Sequence, residues 1–322
     1  QRQMCIRDSP HTRPIEEKGD LAKVMLDGLH KFLDRKTAES VAKRPQYWHR
    51  DFSSHEAYQR SIEPNRKRLA HILGVRDPRI EPVTVDVQVS LPATGALPEA
   101  SNLAPPHAAW SCYYVRWRVF RTYTAEGLVL IPKTDIRAEI IAIPDADQPP
   151  EDFAVLACWQ DALRAGCRVF IPALINRTVE PRMGRAKMSH REYIYRPAYE
   201  LGRHIIGYEI QAILALVDYL APARRPIAVF GYGEGGLLAF YSAALDQRIR
   251  AAGISGYFGP REHLWTEPIE RNIFGLLEQF GDAEVATLIA PRPLVIEGGP
   301  GPELEFPSQG GAPGKLVSPK LE

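Results

Sequence analysis

The segment with the clearest chemical meaning is GYGEGG, from Gly231 to Gly236, which lies between an apolar run and a helix-like run. In the pattern G-x-S-x-G, the flanking glycines let a chain turn sharply from a strand into a helix, so that the middle serine is presented as a nucleophile. The flanking glycines here are Gly231 and Gly235, and the middle residue is Gly233. Because glycine has no side chain, the segment predicts a nucleophile turn without its attacking group.

The same six residues also satisfy G-x-G-x-x-G, a dinucleotide-binding pattern. That function would require an acidic residue about 20 positions further along the chain to bind the ribose. The next strand-like run, residues 251–258, contains Ser255 but ends without a carboxylate, and Glu234 would bring negative charge to a loop that should bind pyrophosphate. We therefore expect no cofactor. A tight turn with no function is a third interpretation, since glycine is the usual residue wherever left-handed backbone is required.

The composition is that of an ordinary globular protein. The chain has 322 residues, of which 45% are hydrophobic and 25% charged, enough for one large domain or two modest ones. A formal net charge of +1 with mixed signs along the chain predicts no nucleic-acid and no membrane partner, and no apolar stretch approaches the length of about 20 residues that crosses a bilayer. Cys112, Cys158 and Cys167 lack C-x-x-C spacing, so we expect small core residues rather than a zinc site or disulfides.

Apolar periodicity predicts helices first and then alternating strands and helices. Residues 20–73 have a helical pattern, and residues 81–109 combine a short edge strand with a linker. The later strand-like runs are 113–120, 127–131, 139–143, 168–171, 227–230, 252–257 and 294–297, and the helix-like runs are 152–164, 199–220, 237–245 and 268–280. This alternation predicts an α/β fold with a mostly parallel sheet covered by helices on both faces. Residues 298–322 are expected to end without another strand.

With the glycine turn, the strand order and the segment PRPLVIEGG, the chain resembles α/β-hydrolases of the acetyl xylan esterase and dienelactone hydrolase-like group. The similarity extends from about residue 30 to residue 307 and includes DFSSHEAY, IPDADQPPE and REYIYRPAYELGRHIIGYE. The resemblance implies a bacterial carbohydrate-esterase-like protein whose ligand is a small-molecule or carbohydrate ester. It also implies a nucleophile, an acid and a histidine that act together.

The residues that such enzymes use are incomplete in this sequence. The nucleophile position is Gly233. The acid falls in the loop after residues 294–297, where Glu303 is the best placed, with a solvated loop glutamate as an equal alternative. The histidine should follow later, but the last histidine of the sequence is His263. A shortened C-terminus explains the missing histidine, but it does not explain Gly233, which independently favours loss of catalysis.

Three carboxylates are expected around the glycine turn. The resemblance implies that the strand ending at Ile143 neighbours the strand before Gly231, so Asp145 and Asp147 should lie beside Glu234, where open α/β sheets bind ligands. There they would oppose an oxyanion, since a like charge about 4 Å away costs on the order of 4 kcal/mol at an effective dielectric near 20, against roughly 3 for one oxyanion-hole donor. They could instead hold a hard cation or bind sugar hydroxyls. Alternatively, the two aspartates cap helix amides and Glu234 pairs with an arginine.

These observations predict a domain organisation. We interpret residues 1–10, which contain QRQMCIRDS, as a sequencing artefact of the kind found in metagenomic fragments. Residues 11–110 are expected to form a helical segment that packs on the core and a linker. Residues 111–307 should form the α/β-hydrolase-like core, and residues 308–322 a flexible tail with an incomplete C-terminus.

The function that these residues favour is that of a non-catalytic homologue that recognises a sugar or acyl ligand. The alternative is an atypical ester hydrolase that uses Glu234 with Asp145 or Asp147. No bound metal is predicted in either case.

Overall fold

An eight-stranded sheet forms the centre of the protein. The computed structural model describes residues 19–88, 109–182, 187–307 and 311–319. The strands of the sheet are β1 (Val85–Gln88), β2 (Trp110–Phe120), β3 (Tyr123–Pro132), β4 (Ala138–Ile143), β5 (Cys167–Pro172), β8 (Ile227–Tyr232), β9 (Ile249–Ser255) and β10 (Leu294–Glu297), and β6 (Val179–Pro181) pairs with β7 (Lys187–Ser189) in a separate hairpin. The predicted strands are confirmed, with shifts of a few residues at their ends.

The spatial order of the sheet is β1-β2-β3-β5-β4-β8-β9-β10. The pairs from β1 to β5 are antiparallel, whereas β5, β4, β8, β9 and β10 run parallel. The register between β4 and β8 pairs Ile143 with Gly231. The loops that follow these two strands therefore leave the sheet side by side, which is the neighbourhood that the resemblance implied.

Helices cover both faces of the sheet, as predicted. The α-helices in the described part of the chain are α1 (Leu21–Lys43), α2 (His55–Ile72), α3 (Pro150–Ala154), α4 (Ala157–Arg164), α5 (His190–Glu200), α6 (Ile205–Leu220), α7 (Glu234–Leu245), α8 (Leu276–Gln279) and α9 (Asp282–Ile289). A large apolar cluster joins α2, α6, α7 and α9 to one face. A smaller cluster around Phe153 and Trp159 covers the other face.

The helix predicted at residues 199–220 is wrong in its first part. Helix α5 ends at Glu200, and the chain passes through Gly202, whose φ is +63°, before α6 begins. The Nδ1 atom of His204 accepts a hydrogen bond from the Ile206 amide at 3.1 Å and caps α6. Leu201 and Ile205 on either side of the break are four residues apart, a helical spacing, so periodicity alone did not detect it.

Two other helix predictions also differ from the structure. The helix predicted at 152–164 is divided into α3 and α4 by residues 155–156. Within the range 268–280 the structure has only a 3₁₀ turn, Ile269–Arg271, and the short helix α8. Gly275 separates these elements with a φ of +73°, so no continuous helix forms.

The C-terminal region contains a second hairpin. β11 (Leu304–Phe306) pairs antiparallel with β12 (Gly314–Leu316), so the expectation that residues 298–322 contain no further strand is wrong. Leu316 is buried, and the Ser318 hydroxyl donates a hydrogen bond to the Gly301 carbonyl oxygen at 3.0 Å. Strands of three residues are too short for a detectable alternation of apolar and polar side chains.

Both N-terminal helices contact the core, α2 through buried side chains and α1 through surface contacts with α8 and Trp265. Helix α2 buries Ile62 and Leu69 completely, and its Tyr58 hydroxyl donates a hydrogen bond to the Thr287 carbonyl oxygen at 2.8 Å. Helix α1 has no buried residue. The predicted edge strand is β1, while the linker after it lies mostly outside the described residues.

Two compositional expectations are also corrected. Among the described helices, the segment Ile205–Ala223 is long and apolar enough to cross a membrane by composition, with 19 residues and a mean hydropathy of 1.3. Since 72% of its most apolar window is buried inside the protein, α6 is a core helix. Cys112 is buried as expected, but Cys158 is exposed, so it is not a core residue.

Candidate functional site

Gly233 lies at the apex of the turn between β8 and α7. Its φ and ψ are 58° and −117°, a combination that residues with a side chain rarely adopt. Its amide donates a hydrogen bond to the Ser255 carbonyl oxygen at 3.0 Å, which joins the turn to the end of β9. The chain therefore turns sharply at position 233 in a conformation that glycine adopts without strain and that a residue with a side chain would adopt only with strain.

The two flanking glycines are required by close backbone contacts. A Cβ atom on Gly231 would overlap the carbonyl oxygen of Gly235, and one on Gly235 would overlap the carbonyl oxygen of Ile143. Helix α7 thus begins directly against the ends of β8 and β4. This close approach brings the first amides of α7 next to the loop that follows β4.

The space beside Gly233 is occupied by other side chains. A Cβ atom on Gly233 would lie 2.5 Å from Asp145 Oδ1 and 2.8 Å from Pro302 Cγ. Both distances are shorter than ordinary van der Waals contact. A side chain at the apex would therefore require Asp145 and Pro302 to move.

The carboxylate of Asp145 binds the amide that follows the apex. Asp145 Oδ1 accepts a hydrogen bond from the Glu234 backbone amide at 2.8 Å. In an α/β-hydrolase, the amide of the residue after the nucleophile is one donor of the oxyanion hole. Asp145 Oδ1 thus lies where such a donor would bind a substrate oxygen.

Glu234 is surrounded by three arginines and is only 1% exposed. Its Oε1 atom accepts a hydrogen bond from Arg191 Nη2 at 2.9 Å. Its Oε2 atom accepts from Arg271 Nε at 2.9 Å and from Arg177 Nη2 at 3.2 Å. Burial alone would raise the pKa of Glu234, but the charges of Arg271, Arg191 and Arg177 outweigh it and hold the pKa well below its ordinary value. Glu234 is therefore a buried carboxylate whose charge is fully compensated.

Arg177 also binds both aspartates of the loop after β4. Its Nη1 and Nη2 atoms donate to the two Asp145 carboxylate oxygens at 2.6 and 3.1 Å. Asp147 Oδ1 accepts from the Arg177 amide at 2.7 Å, and its Oδ2 accepts from Nη1 at 3.1 Å. Burial opposes ionisation of Asp145, but the hydrogen bonds and charge of Arg177 lower its pKa. Bidentate pairing of this kind fixes both partners in one plane.

Arg191 and Arg271 extend the network to other elements. The fully buried Arg191 forms a bidentate pair with Glu209 of α6, at 2.8 and 2.9 Å, and donates to the Ile175 carbonyl oxygen at 2.8 Å. Arg271 donates to Glu267 at 2.9 Å. We call the ion-paired residues Asp145, Asp147, Arg177, Arg191, Glu209, Glu234, Glu267 and Arg271 the arginine–carboxylate cluster. Buried charges persist only when they are paired in this way.

The structure brings Asp145, Asp147 and Glu234 together, as expected, but surrounds them with positive charge. Each of the three carboxylates is paired with an arginine, so the repulsion expected from unpaired negative charge is wrong. Glu234 forms ion pairs with arginines, which was the alternative considered for this residue. In the part of the chain that the structure describes, no group of three His, Cys, Asp or Glu side chains is arranged to hold a metal ion.

Glu303 is not part of the arginine–carboxylate cluster. Its side chain is exposed, and its Oε1 accepts a hydrogen bond from the Ser318 amide at 3.4 Å. His263 is exposed at the start of a 3₁₀ turn, and His204 caps α6. Within the described ranges, no histidine forms an ion pair with a carboxylate of the cluster. A nucleophile–histidine–acid arrangement is therefore not formed by these residues.

Sequence reasoning did not identify the three arginines or the buried Glu209 that binds one of them. Arg191 and Glu209 are both in the segment REYIYRPAYELGRHIIGYE, which was noted only for its resemblance. One local signal existed, because Glu209 lies among apolar residues of α6, where a charged side chain requires a buried partner. Arg177 and Arg271 follow no local pattern that distinguishes them.

A cavity of about 210 Å³ adjoins the cluster. Its lining includes Ser189, Glu192 and Glu270 on one side and Phe306 and residues 311–312 on the other. The Glu270 Oε1 atom is buried and forms no hydrogen bond with any described residue. Burial raises the pKa of Glu270, with the opposing charge of Arg191 as the next contribution. Glu270 thus lines the cavity and has one buried carboxylate oxygen without a partner in the described protein.

The fold is similar to solved structures of carbohydrate esterases. A candidate acetyl xylan esterase from Bacteroides fragilis NCTC 9343 has a TM-score of 0.59 and 14% sequence identity, over 82% of this chain and 74% of that chain. A promiscuous CE15 esterase from a marine bacterial metagenome has a TM-score of 0.50 and 13% identity, over 76% of this chain and 74% of that chain. No family model matches the chain, and no curated protein matches it in sequence. The chain therefore has the α/β-hydrolase fold that its glycine turn and strand order predicted.

Proposed function

We propose that this protein is a non-catalytic homologue of ester hydrolases that binds a small-molecule or carbohydrate ligand. One observation carries the proposal: the Glu234 amide, which would donate to an oxyanion, is bound by Asp145 Oδ1 at 2.8 Å. The apex residue beside it is glycine. Both the attacking group and the free donor that acyl transfer requires are thus absent from this turn.

The alternative, an atypical hydrolase that uses Glu234 with Asp145 or Asp147, is opposed by the same contacts. A general base or nucleophile must reach the substrate and have a pKa suited to accepting a proton. Glu234 is buried, its oxygens bind three arginines, and its pKa is held far below the ordinary value by those charges. The hydrogen bonds and charge of Arg177 likewise lower the pKa of Asp145.

The cavity beside Glu270 is the best supported place for the ligand. Its volume, about 210 Å³, is below the 300–1,000 Å³ range of typical drug-sized sites and suits a group the size of one sugar ring. Glu270 lines this cavity, and its unpartnered Oε1 atom is buried, so a ligand hydroxyl would donate a hydrogen bond to it after a small shift of the side chain. A hydroxyl-rich ligand is therefore favoured over an apolar one.

Turnover of p-nitrophenyl acetate tests the absence of catalysis. We expect no hydrolysis above the buffer rate for either the unmodified protein or Glu234→Gln. Turnover by the unmodified protein that disappears in the variant would establish the alternative. Circular dichroism of both proteins would confirm that the variant is folded.

Calorimetric titration with xylotriose and O-acetylated xylotriose tests the ligand site. We expect Glu270→Met to weaken the binding of whichever probe binds by about 5- to 30-fold, since a hydrogen bond contributes roughly 1–2 kcal/mol. Glu305→Gln is the control, because this carboxylate is exposed on β11. Absence of binding by both probes, or equal loss in the two variants, would contradict the assignment of this cavity.

A further inference from the structure

A second cleft lies where the end of α2 meets the start of α6. Its volume is about 380 Å³, and it shares no lining residue with the cavity beside Glu270. Its lining includes three arginines and two histidines, which are Arg68, Arg76, Arg203, His71 and His204. No carboxylate of the described residues lines it. Because burial lowers the pKa of both His71 and His204, the charged groups that line this cleft are its three arginines.

Arg76 is held in place by the backbone around it. Its Nε and Nη2 atoms donate to the His71 carbonyl oxygen at 3.2 and 3.1 Å. Its Nη1 atom lies 3.1 Å from the position that a Cβ atom on Gly202 would occupy, so the side chain lies against this glycine. The guanidinium is thus positioned before any ligand binds, which lowers the entropic cost of binding.

Arg203 is positioned in a similar way. Its Nε and Nη2 atoms form a bidentate pair with Asp77 at 3.2 and 2.8 Å, and its Nη1 atom donates to the Leu201 carbonyl oxygen at 2.9 Å. Arg68, by contrast, forms no ion pair or hydrogen bond with any residue that the structure describes. Asp77 is ion-paired with Arg203 and also attracts Arg76, so the three arginines with this one carboxylate leave a net positive charge at the cleft.

The rim of the cleft is aromatic. Phe274 is 78% exposed and Tyr199 is 43% exposed. Their ring centroids are 6.4 Å apart in an edge-to-face arrangement. Large aromatic side chains at this exposure leave apolar surface in water that a ligand ring could cover.

We propose that this cleft binds a small organic anion, a carboxylate or a phosphate monoester attached to a ring. Arginine guanidinium groups recognise both anions by paired hydrogen bonds, and the aromatic rim would contact the ring. The cleft has the volume of a small-molecule site, 300–1,000 Å³. This assignment is independent of the function proposed for the Glu270 cavity, because the two sites have no residue in common.

Calorimetric titration with benzoate, phenyl phosphate and phenol tests the proposal. We expect saturable binding of at least one of the two anions and no detectable binding of phenol. The anion that binds more tightly identifies the preferred headgroup. Absence of saturable binding by both anions, or phenol binding as tightly as they do, would overturn the proposal.

Three variants and one control connect binding to the cleft. Arg76→Gln is expected to weaken binding of the tighter anion at least tenfold, and Arg68→Gln and Phe274→Ser about threefold or more. Lys67→Gln removes one positive charge from an exposed position of α2 outside the cleft lining and should change affinity less than twofold. Equal weakening by Lys67→Gln and Arg76→Gln would overturn the proposal, because it would indicate non-specific charge attraction.

Discussion

At the scale of single residues, Gly233 and Asp145 act as a pair. Gly233 has a positive φ at the apex of the turn, and Asp145 Oδ1 fills the space beside it and accepts a hydrogen bond from the amide after it. A serine would need the volume that Asp145 now fills. Glycine at position 233 and binding of the Glu234 amide by Asp145 are therefore structurally compatible with each other.

Introducing a side chain at the apex should be destabilising. We expect Gly233→Ser to lower the free energy of unfolding by about 1–3 kcal/mol, because of positive φ and overpacking against Asp145 and Pro302. The measurement is urea denaturation, with Gly28→Ser in α1 as the control, since nothing lies within 4 Å of a Cβ at that glycine. Reaction of Gly233→Ser with a fluorophosphonate probe would show that the apex accepts a working nucleophile, against expectation.

Neutralising Glu234 should destabilise the arginine–carboxylate cluster. Glu234→Gln preserves shape but leaves Arg177, Arg191 and Arg271 without one negative partner, and breaking a buried ion pair costs about 3–5 kcal/mol. Urea denaturation should show that loss, whereas Glu303→Gln at an exposed position should stay within about 0.5 kcal/mol. If Glu234→Gln changed the free energy of unfolding by less than about 1 kcal/mol, water would have to reach the cluster in solution.

At the scale of elements, the two N-terminal helices differ in what holds them. Helix α2 places its apolar side chains in the large core cluster. The N-terminus of helix α1 is capped by Asp20, whose side chain accepts a hydrogen bond from the Ala22 amide at 2.9 Å. None of the residues of α1 is buried. Helical periodicity is visible in both, so the pattern predicts the helices without showing which one is covered.

Leucine-to-alanine substitutions test the difference in burial between the two helices. Leu69 of α2 is 0% exposed and Leu29 of α1 is 59% exposed. We expect Leu69→Ala to lower the free energy of unfolding by about 2–5 kcal/mol and Leu29→Ala to change it by less than about 0.5. Urea denaturation measures both. A loss above about 1.5 kcal/mol for Leu29→Ala would show that this face of α1 is covered in solution.

The buried cap of α6 makes stability depend on pH. Burial lowers the pKa of His204 from 6.5 to about 4, so between these pH values the unfolded chain binds more protons than the folded chain. The stabilisation that neutral His204 gives to the folded protein is fully present above pH 6.5. As the pH falls towards 4, the free energy of unfolding decreases by up to about 3 kcal/mol.

Urea denaturation between pH 7 and pH 4 tests this dependence. His204→Asn retains a capping side chain without an ionisable ring, so its stability should decrease less with acid than that of the unmodified protein. His263→Asn, at an exposed histidine, should leave the pH dependence unchanged. Equal acid sensitivity of His204→Asn and the unmodified protein would contradict the assigned pKa.

At the scale of the whole molecule, α2 is joined to the end of the core by polar contacts. Arg66 is buried and donates to the carbonyl oxygens of Ala244 and Leu288. The Gln59 amide group donates to the Ala290 carbonyl oxygen at 2.9 Å. We propose that residues 55–72 fold together with the predicted core, 111–307, so that a domain boundary at residue 110 does not separate two folding units.

Removing the Arg66 contacts should affect the entire protein. We expect Arg66→Met to lower the free energy of unfolding by about 2–4 kcal/mol, since the Ala244 and Leu288 carbonyl oxygens lose this donor. Circular dichroism and tryptophan fluorescence should shift together in urea, and Lys67→Met should shift neither by much. Separate transitions for the two signals would show that α2 unfolds independently.

Much of the fold could be predicted because its signals are local. Strand alternation and the glycine turn depend on residues next to each other in sequence, and they place Asp145 near Gly231 once β4 and β8 are neighbours. The break before α6 was missed because Leu201 and Ile205 keep a four-residue helical spacing across Gly202. The β11–β12 hairpin was missed because its strands have three residues each.

The arginine partners could not be predicted, because ion pairing between distant segments has no local signature. The sequence has 40 lysines and arginines, and nothing in their spacing selects Arg177, Arg191 and Arg271 as the partners of Glu234. The sequence therefore left two alternatives open, unpaired carboxylates or a Glu234–arginine pair, and could not name the arginines.

By itself, the sequence determined that the apex of the turn has no side chain with which to attack a substrate, since that depends only on the residue type at position 233. Only the tertiary structure decided that Asp145 binds the neighbouring amide and that Glu234 is neutralised by three arginines. The physical reason is that hydrogen bonds and ion pairs act over a few ångströms, and these residues come within that distance only after the sheet, α5 and α7 have packed together.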